Sequence, residues 1–421
     1  MHPAGTRPTV TELRLSAFKA HRGLTLPLAP LTLLTGQSGS GKSGVLQAYG
    51  ILARLSGGAL LPQALTGVAG GAAACVPEGA RPDGQGRRGF RIGCTIDGPA
   101  GPVTLDVAVQ AEPEPRIVGE RLTAGGLTLL STALTDPDRR AVQAAWYTAG
   151  ATPVTRAPLP DDRLSTALLP LRVAGKTEGQ RLVLSAAEQV VVALRSGFVC
   201  DPRPEAMRGT DRGAAPARGA GAAGRSAGAS GRGPGAPGRR GAAGAAESPG
   251  GTGEADGRLR TTCDNLPAVL RRTSQECARR HAALVDAVRA GCSGPIEGLV
   301  VAPPQGDDTR VRALIDRGAR GTSPLERLGD GELRYLALAL VLLTGPGVLE
   351  MDPAGEVPSA RQVLTVVADG LDRCLDRRQA RELLTLAVRM TERGHIRLLG
   401  VVGDASPAEG LPGVRVLHLD A

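Results

Sequence analysis

The stretch that decides the fold is Gly36-Gln37-Ser38-Gly39-Ser40-Gly41-Lys42-Ser43. It follows an apolar run at 31–35 that predicts a strand, and it precedes residues 44–55, which predict a helix. Glycines allow a tight turn whose backbone N–H groups point inward, and a helix N-terminus attracts negative charge. In this context the pattern G-x-x-x-x-G-K-[ST] predicts a loop that binds the phosphates of a nucleotide.

Two side chains of this loop carry the expected chemistry. Lys42 is expected to place its ammonium on the β- and γ-phosphate oxygens, and the Ser43 hydroxyl is expected to bind Mg²⁺. The only other lysines are Lys19 and Lys176, whereas lysine and arginine together number 50. Because a guanidinium does not replace a compact ammonium in such a loop, this bias indicates that Lys42 is kept for its chemistry. A second Gly-Lys-Thr, at 175–177, lacks the upstream glycine and is interpreted as a surface turn.

The composition limits the other classes of function. The 421 residues can hold one large α/β domain with a lobe, or two domains. The net charge of +9 is concentrated in residues 203–260, which hold ten arginines and five acidic residues. The net charge of the rest of the chain is therefore small, and it is weak evidence for a nucleic-acid surface. Three Phe, three Tyr and one Trp also argue against stacking platforms for bases.

The cysteines and the apolar segments indicate a cytoplasmic protein. The seven cysteines are odd in number and none are spaced as C-x-x-C, so neither a zinc site nor a disulfide framework is predicted. The first residues contain no apolar signal core. The longest apolar stretch, 335–343, is too short to span a bilayer, so no membrane association is expected.

The pattern along the chain predicts an α/β domain in two halves, 8–60 and 321–421. Short alternating runs with Gly and Pro turns predict an antiparallel β lobe over 61–135. A helical lobe is expected over 136–208, and a connector of helices and strands over 258–320. Within the C-terminal half, a helical region is expected over 359–393.

Residues 209–257 consist mainly of Gly, Ala, Arg, Ser and Pro. They have almost no large apolar side chains, so burial could not offset the entropy lost on ordering, and we predict a disordered insert. The alternative interpretation is an Arg/Gly arm that touches nucleic acid.

A second constellation lies near the C-terminus. Residues 328–334 read Leu-Gly-Asp-Gly-Glu-Leu-Arg and lead into an apolar helix at 332–343. Taken alone, this predicts a helix start with Asp330 as its N-cap. The run 348–352 then predicts a strand ending at Asp352, where a P-loop enzyme holds a carboxylate near Mg²⁺.

The order of these features resembles the ATP-binding-cassette-type ATPases of the RecF/SMC group. Leu13 to His21 is similar to the opening of that group, and Asp330 to Tyr335 is similar to the signature of its bacterial AAA-type members. The resemblance covers about 9–60 and 320–421. It implies an α/β fold, namely a P-loop NTPase head of the ABC-ATPase type split by an inserted β/helical lobe.

The resemblance also implies a set of site residues and partners. ATP would be bound by Gly36, Gln37, Ser38, Gly39, Ser40, Gly41, Lys42 and Ser43. Asp352 would be the Walker B aspartate and would share Mg²⁺ with Ser43. The signature residues Gly329, Asp330 and Gly331 would press on the γ-phosphate of a partner subunit, giving an ATP-dependent homodimer. Action on DNA is a further expectation from the resemblance alone.

Three departures affect the hydrolytic residues. Pro353 follows Asp352 where a catalytic glutamate is usual, so Glu356 or Glu350 would have to replace it. Gly329 replaces the signature serine, and residues 403–406 contain no switch histidine. These departures predict a slow or degenerate ATPase, since losing the water-orienting group costs turnover more than affinity.

Two other functions are alternatives to this hypothesis. The first is a scaffold that binds a nucleotide and a protein partner without hydrolysis. The second is a small-molecule kinase, which is disfavoured because no acceptor-site signature is present. The absence of a sustained heptad pattern excludes a long coiled-coil arm, so the expected form is a RecF-like head with a compact lobe.

Overall fold

The computed structural model describes residues 7–150, 152–209, 257–302, 311–351 and 361–420. The predicted insert lies outside these ranges except for its end residues, Gly209 and Gly257. Asp352, Pro353 and Glu356 also lie outside the described residues.

The strands of the described residues form three sheets. They are β1 (Thr9–Phe18), β2 (His21–Pro27), β3 (Leu31–Thr35), β4 (Arg88–Asp97), β5 (Val103–Glu112), β6 (Arg116–Ala124), β7 (Leu127–Ala133), β8 (Ala141–Tyr147), β9 (Val154–Pro160), β10 (Gly197–Cys200), β11 (Gly298–Ala302), β12 (Arg312–Asp316), β13 (Thr322–Pro324), β14 (Leu364–Ala368), β15 (Ile396–Val401) and β16 (Val414–His418).

The helices of the same residues include several of only one turn. They are α1 (Lys42–Ser56), α2 (Leu61–Ala64), α3 (Ser165–Leu168), α4 (Glu178–Arg195), α5 (Pro204–Met207), α6 (Leu266–Glu276), α7 (Ala278–Gly291), α8 (Asp330–Leu343) and α9 (Arg377–Glu392). No helix among the described residues is long and apolar enough to cross a membrane.

A five-stranded parallel sheet, in the order β10-β14-β15-β3-β16, forms the centre of the molecule. Strands β3 and β14 are almost continuously apolar, and their residues are buried on both faces, as is typical of a parallel sheet covered by helices. The sheet joins the two ends of the chain, because β3 lies between β15 and β16.

An eight-stranded antiparallel sheet, in the order β2-β1-β4-β5-β6-β7-β8-β9, forms a second layer. Its strands alternate buried and partly exposed residues, as in β5 and β8, which gives one core face and one more open face. Helices α1 and α4 lie between this face and the parallel sheet, in one apolar core. Helices α6 to α9 cover the other face of the parallel sheet in a second core.

The structure corrects three predictions of secondary structure. Residues 136–208 are not a helical lobe, because β8 and β9 extend the antiparallel sheet before α4 begins. That sheet also takes β1 and β2 from the N-terminal segment, so it is not confined to 61–135. Alanine-rich β8 has weak strand propensity, but Val142, Ala144 and Trp146 are buried on its core face.

The third correction concerns the strand expected at 348–352. Residues Pro346–Val348 form a 3₁₀ turn, and Leu349 makes only an isolated bridge to Leu259. The strand that lies beside β15 is β14, within the region predicted to be helical at 359–393. Five consecutive apolar or β-branched residues suit a fully buried strand, and periodicity alone does not distinguish such a run from a buried helix.

Candidate nucleotide-binding site

The loop at 36–43 leaves the carboxyl end of a central strand of the parallel sheet and enters α1. Ligands of open α/β sheets bind at the carboxyl ends of the strands. The neighbouring strands β15 and β16 are parallel to β3 and end beside the loop. The sheet therefore positions the loop as the sequence predicts.

The glycines of the loop have conformations that a side chain would prevent. Gly36 and Gly41 have φ of 141° and 85°. A Cβ on Gly36 would lie 2.2 Å from the carbonyl oxygen of Leu419, and one on Gly41 would lie 2.4 Å from His21 Nε2. The backbone can follow this path only without side chains at these positions.

Lys42 folds back over the loop. Its Nζ donates to the carbonyl oxygens of Gly36, at 2.7 Å, and Gln37, at 2.6 Å, and contacts Ser40 Oγ at 3.4 Å. The ammonium therefore sits inside the ring of the loop, held by neutral acceptors. A phosphate oxygen placed there would make a stronger, charge-assisted bond.

The N-terminus of α1 has the features of an anion site. Its N-cap, Gly41, gives no side-chain hydrogen bond, and the first turn contains no acidic residue. The Ser43 side chain is exposed and makes no hydrogen bond with the described residues. The N–H groups of the first turn are thus left for a ligand.

These residues fit a nucleotide triphosphate. The fit is seen in the narrow cradle that a Cβ at Gly36 would fill, in the uncapped helix, and in the ammonium held by carbonyls. Ser43 is the one hydroxyl of the loop exposed at the helix start and suits Mg²⁺, an oxygen-binding cation. Among the described residues no cluster of three or more His, Cys, Asp or Glu could hold a metal by itself.

The carboxylate at the expected place on the sheet is Asp369, which directly follows β14. Ala368 pairs with Gly400 of β15, and Gly400 pairs with Leu33 of β3. Two strand spacings, on the order of 10 Å, therefore separate Asp369 from the end of β3. Asp369 makes no hydrogen bond or ion pair with the described part of the chain, so its oxygens are available.

The residue after Asp369 cannot orient water. Gly370 has no side chain, and its φ of 61° favours glycine. Asp372 is the next carboxylate along the chain, but it accepts hydrogen bonds from Gly403 N and Asp404 N, each at 2.9 Å. The turn after β14 is thereby tied to the turn after β15.

The turn after β15 contains no histidine. Asp404 accepts hydrogen bonds from the hydroxyl and backbone N–H of Ser406, and these bonds lower the pKa of Asp404. The switch histidine that the resemblance implies at 403–406 is therefore replaced by a turn that carries an ionised aspartate.

The signature residues lie at the N-terminus of α8. Gly329 is its N-cap and gives no side-chain bond, while the Asp330 carboxylate pairs with Arg208 at 2.6 Å. Arg208 also donates to the carbonyl oxygen of Leu328 at 2.7 Å. Gly331 packs on the turn that follows Asp369, since a Cβ there would lie 2.4 Å from Cys374 O.

The second Gly-Lys-Thr is a surface turn at the start of α4. Thr177 is the N-cap and accepts from Gln180 N at 3.2 Å, and Lys176 is exposed. No parallel strand ends there.

Sequence reasoning did not find Asp369, Arg208 or Arg334. Asp369 has a signal, because it ends the apolar run Val363 to Ala368, but that run lies within the region predicted to be helical. Arg208 and Arg334 have no signal in the sequence. Arg208 contacts Leu328, more than 100 residues away, and Arg334 contacts Gly370, 36 residues away.

The parallel sheet, the glycine-lined loop and the uncapped helix together define an α/β fold of the P-loop kind. The predicted fold class is therefore confirmed. No family model and no curated protein matches the chain.

Among solved structures, the chain is similar to SMC heads. An SMC head bound to the C-winged helix domain of ScpA is 10% identical, with a TM-score of 0.44, covering 94% of this chain and 90% of that chain. The SMC head domain from Thermotoga maritima is 12% identical, with a TM-score of 0.39 and coverage of 97% and 94%.

A third structure is an Smc head domain with an extended coiled coil, bound to the C-terminal domain of ScpA derived from Pyrococcus furiosus. It is 10% identical, with a TM-score of 0.44 and coverage of 95% and 91%. At these identities and TM-scores the likeness adds no argument about activity or partners.

Proposed function

We propose that this protein binds ATP with Mg²⁺ and is a slow or degenerate ATPase of the RecF/SMC type. The observation that carries the proposal is the Lys42 ammonium, held by the carbonyl oxygens of Gly36 and Gln37 in front of an uncapped helix N-terminus. A cation held by neutral carbonyls in front of free helix N–H groups is well placed to receive an anion.

Each group of the site would have one task. Lys42 would release the two carbonyls and bind the β- and γ-phosphate oxygens, while the loop N–H groups bind the others. Ser43 and Asp369 would hold the metal ion, which neutralises phosphate charge when bound. Asp369 takes the place given to Asp352 because its strand, β14, lies in the parallel sheet.

Slow turnover follows from the turn after β14. Gly370 has no group that could polarise water, and Asp372 is engaged by two N–H groups. Losing a preorganised water-orienting group costs about 3–4 kcal/mol of transition-state stabilisation. The same feature favours the second candidate, a scaffold that binds ATP and a protein partner without hydrolysis.

Replacing Lys42 tests nucleotide binding. Lys42→Ala is expected to weaken ATP·Mg²⁺ binding at least about tenfold, because a hydrogen bond to a charged group contributes about 1.5–3 kcal/mol. The matched control is Lys176→Ala, which removes the exposed lysine of the other Gly-Lys-Thr and should leave the affinity unchanged. Calorimetric titration of both variants measures this.

Wild-type protein that retains no ATP would refute the proposal. Turnover that disappears in Lys42→Ala supports the ATPase, and tight binding without turnover supports the scaffold.

ATP-dependent dimerisation is proposed through the signature turn. No atom of the described residues lies within 4 Å of a Cβ built on Gly329, so a side chain can leave the helix there, and Gly329→Trp would obstruct a second copy. Neither Gly329→Trp nor Lys42→Ala should dimerise alone with ATP. The wild type should dimerise with ATP, and light scattering measures the difference. A Gly329→Trp variant that dimerises with ATP as fully as the wild type would contradict the composite site.

Action on DNA and a cytoplasmic location are further parts of the proposal. They are supported only by the resemblance of the sequence motifs to the RecF/SMC group and by the cysteine pattern.

A further inference from the structure

Arg334 is a buried cation on α8, one turn after the signature residue Asp330. Its side chain is 2% exposed, and burial lowers the pKa of its guanidinium. Its nearest carboxylate, on Asp201, is 4.0 Å away. A buried charge without a close counter-ion is unfavourable for stability, and an apolar side chain of similar size would fill this space at lower cost.

The partners of Arg334 are backbone carbonyls of two separate segments. One Nη atom donates to Pro202 O, beyond the end of β10, and the other donates to Gly370 O at 2.8 Å. Nε is buried without a partner. The planar fork of arginine can reach two acceptors in different directions, whereas a lysine ammonium would reach them less well.

The contact with Gly370 is important because of its neighbour. Gly370 follows Asp369, the carboxylate at the end of β14, and its carbonyl also accepts from Arg373 N at 3.0 Å. Leu371 N donates to Val401 O at 2.8 Å. The turn that carries Asp369 is therefore held by β15 on one side and by Arg334 on the other.

Helix α8 contacts this turn at a second point. Gly331, in the signature itself, packs against Cys374 O so closely that a Cβ would overlap it. Gly331 and Arg334 are separated by less than one helical turn, a rise of about 4.5 Å. Because a helix moves as a rigid element, a shift at its N-terminus would reach Gly370 through Arg334.

We propose that Arg334 is a positioning residue that transmits engagement of the signature turn at 328–332 to the turn carrying Asp369. The inference rests on the proposed function, since it requires ATP to reach the signature of a second copy. In this reading Arg334 touches no substrate. It aligns Asp369 only when the N-terminus of α8 is engaged.

Hydrogen exchange with and without ATP·Mg²⁺ tests the inference. In the wild type, ATP should protect residues 36–46, and dimerisation should add protection at 369–373. Gly329→Trp, which binds ATP without dimerising, should show the first effect and not the second. Arg334→Met should bind ATP within about threefold of wild type and should dimerise, yet lose the added protection at 369–373.

Two further variants separate positioning from stability. Arg397→Met removes a half-buried guanidinium, which donates to Leu28 O at 2.7 Å and whose pKa is also lowered by burial. It should keep the full response at 369–373. Arg334→Lys retains the charge and should restore part of the response; it also serves if Arg334→Met does not fold.

The outcomes are distinguishable. If residues 36–46 of the wild type are not protected by ATP, the proposed function fails and the inference falls with it. If the wild type binds ATP and gains dimer-dependent protection at 369–373, and both Arg334 variants gain it equally, Arg334 has no positioning role and the inference alone is overturned.

Discussion

Single residues of the signature turn differ sharply in what their surroundings allow. Gly329 and Gly331 are two positions apart, and both have ordinary negative φ or helical backbone. A Cβ on Gly329 meets nothing within 4 Å, while one on Gly331 would lie 2.4 Å from Cys374 O and 2.9 Å from Gln379 Oε1. Close packing therefore requires glycine at position 331 but not at position 329.

We expect Gly331→Ala to destabilise the protein by about 1–3 kcal/mol, as overpacking of a close contact does. The gain in helix propensity from replacing glycine, about 1 kcal/mol, would offset part of this. Gly329→Ala should change the free energy of unfolding by less than about 0.5 kcal/mol. Urea denaturation midpoints of the two variants measure the difference, and equal midpoints would contradict the packing argument.

At the same scale, the loop residues could be predicted from the sequence, and Asp369 could not. The glycines and Lys42 act within eight consecutive positions, so their chemistry is visible in the spacing. Asp369 becomes a candidate only because β14 lies next to β15. Choosing Asp352 was reasonable from spacing alone, but residues 346–349 form a turn and a single bridge rather than a strand of the sheet.

A buried ion pair in the antiparallel sheet joins the start of β6 to the end of β9, although β7 and β8 lie between these strands. Arg116, at the start of β6, pairs with Asp161, just after β9, and their side chains are 7% and 3% exposed. Arg116 also donates to Pro137 O at 2.6 Å, and Ile117 N donates to Asp161 O at 2.7 Å. The sheet therefore curls until the end of β9 meets the start of β6.

Arg116→Leu is expected to cost about 3–5 kcal/mol, because it leaves Asp161 buried without its partner. The double variant Arg116→Leu with Asp161→Leu should recover much of this loss, since no uncompensated charge is left. Arg88→Leu is the control, because the Arg88–Glu112 pair is about one-third exposed and should matter far less. Thermal unfolding checks all three; a double variant as unstable as the single one would rule out an electrostatic origin.

Elements were predictable where one pattern dominated. Strands β1, β2 and β4 to β7 are short polar–apolar runs between turn residues, β3, β15 and helix α8 are apolar runs beside turn residues, and α4 follows helical periodicity. Strand β8 was missed because alanines at Ala141, Ala144 and Ala145 favour helix locally, whereas burial of Trp146 against the core favours a strand. Tertiary packing overrides weak local propensity in such segments.

The whole molecule depends on a sheet whose strands come from both halves of the chain. Strand β3 has β15 and β16 on either side, and β10 pairs with β14. Each neighbour of β3 in the sheet comes from more than 360 residues further along the chain. A fragment ending before β14 would leave both edges of β3 unpaired and its apolar faces exposed.

We therefore expect fragments 1–209 and 257–421 to be insoluble or unfolded when expressed separately, and to co-purify as a folded complex when expressed together. Circular dichroism and co-purification on a tag placed on one fragment would show this. An N-terminal fragment that folds alone and binds ATP would mean that the parallel sheet is not needed to support the loop.

The local sequence was enough to predict that residues 36–43 form a glycine-containing loop between a strand and a helix, because glycine conformations and a helix N-terminus are local properties of a few neighbouring residues. It also determined that the two ends of the chain share one α/β domain. The folded structure was needed to show that Asp369 ends a strand of the same parallel sheet and that Arg334 contacts the turn after it. Strand order and buried contacts depend on segments brought together from distant parts of the chain, and no local pattern records which of them become neighbours.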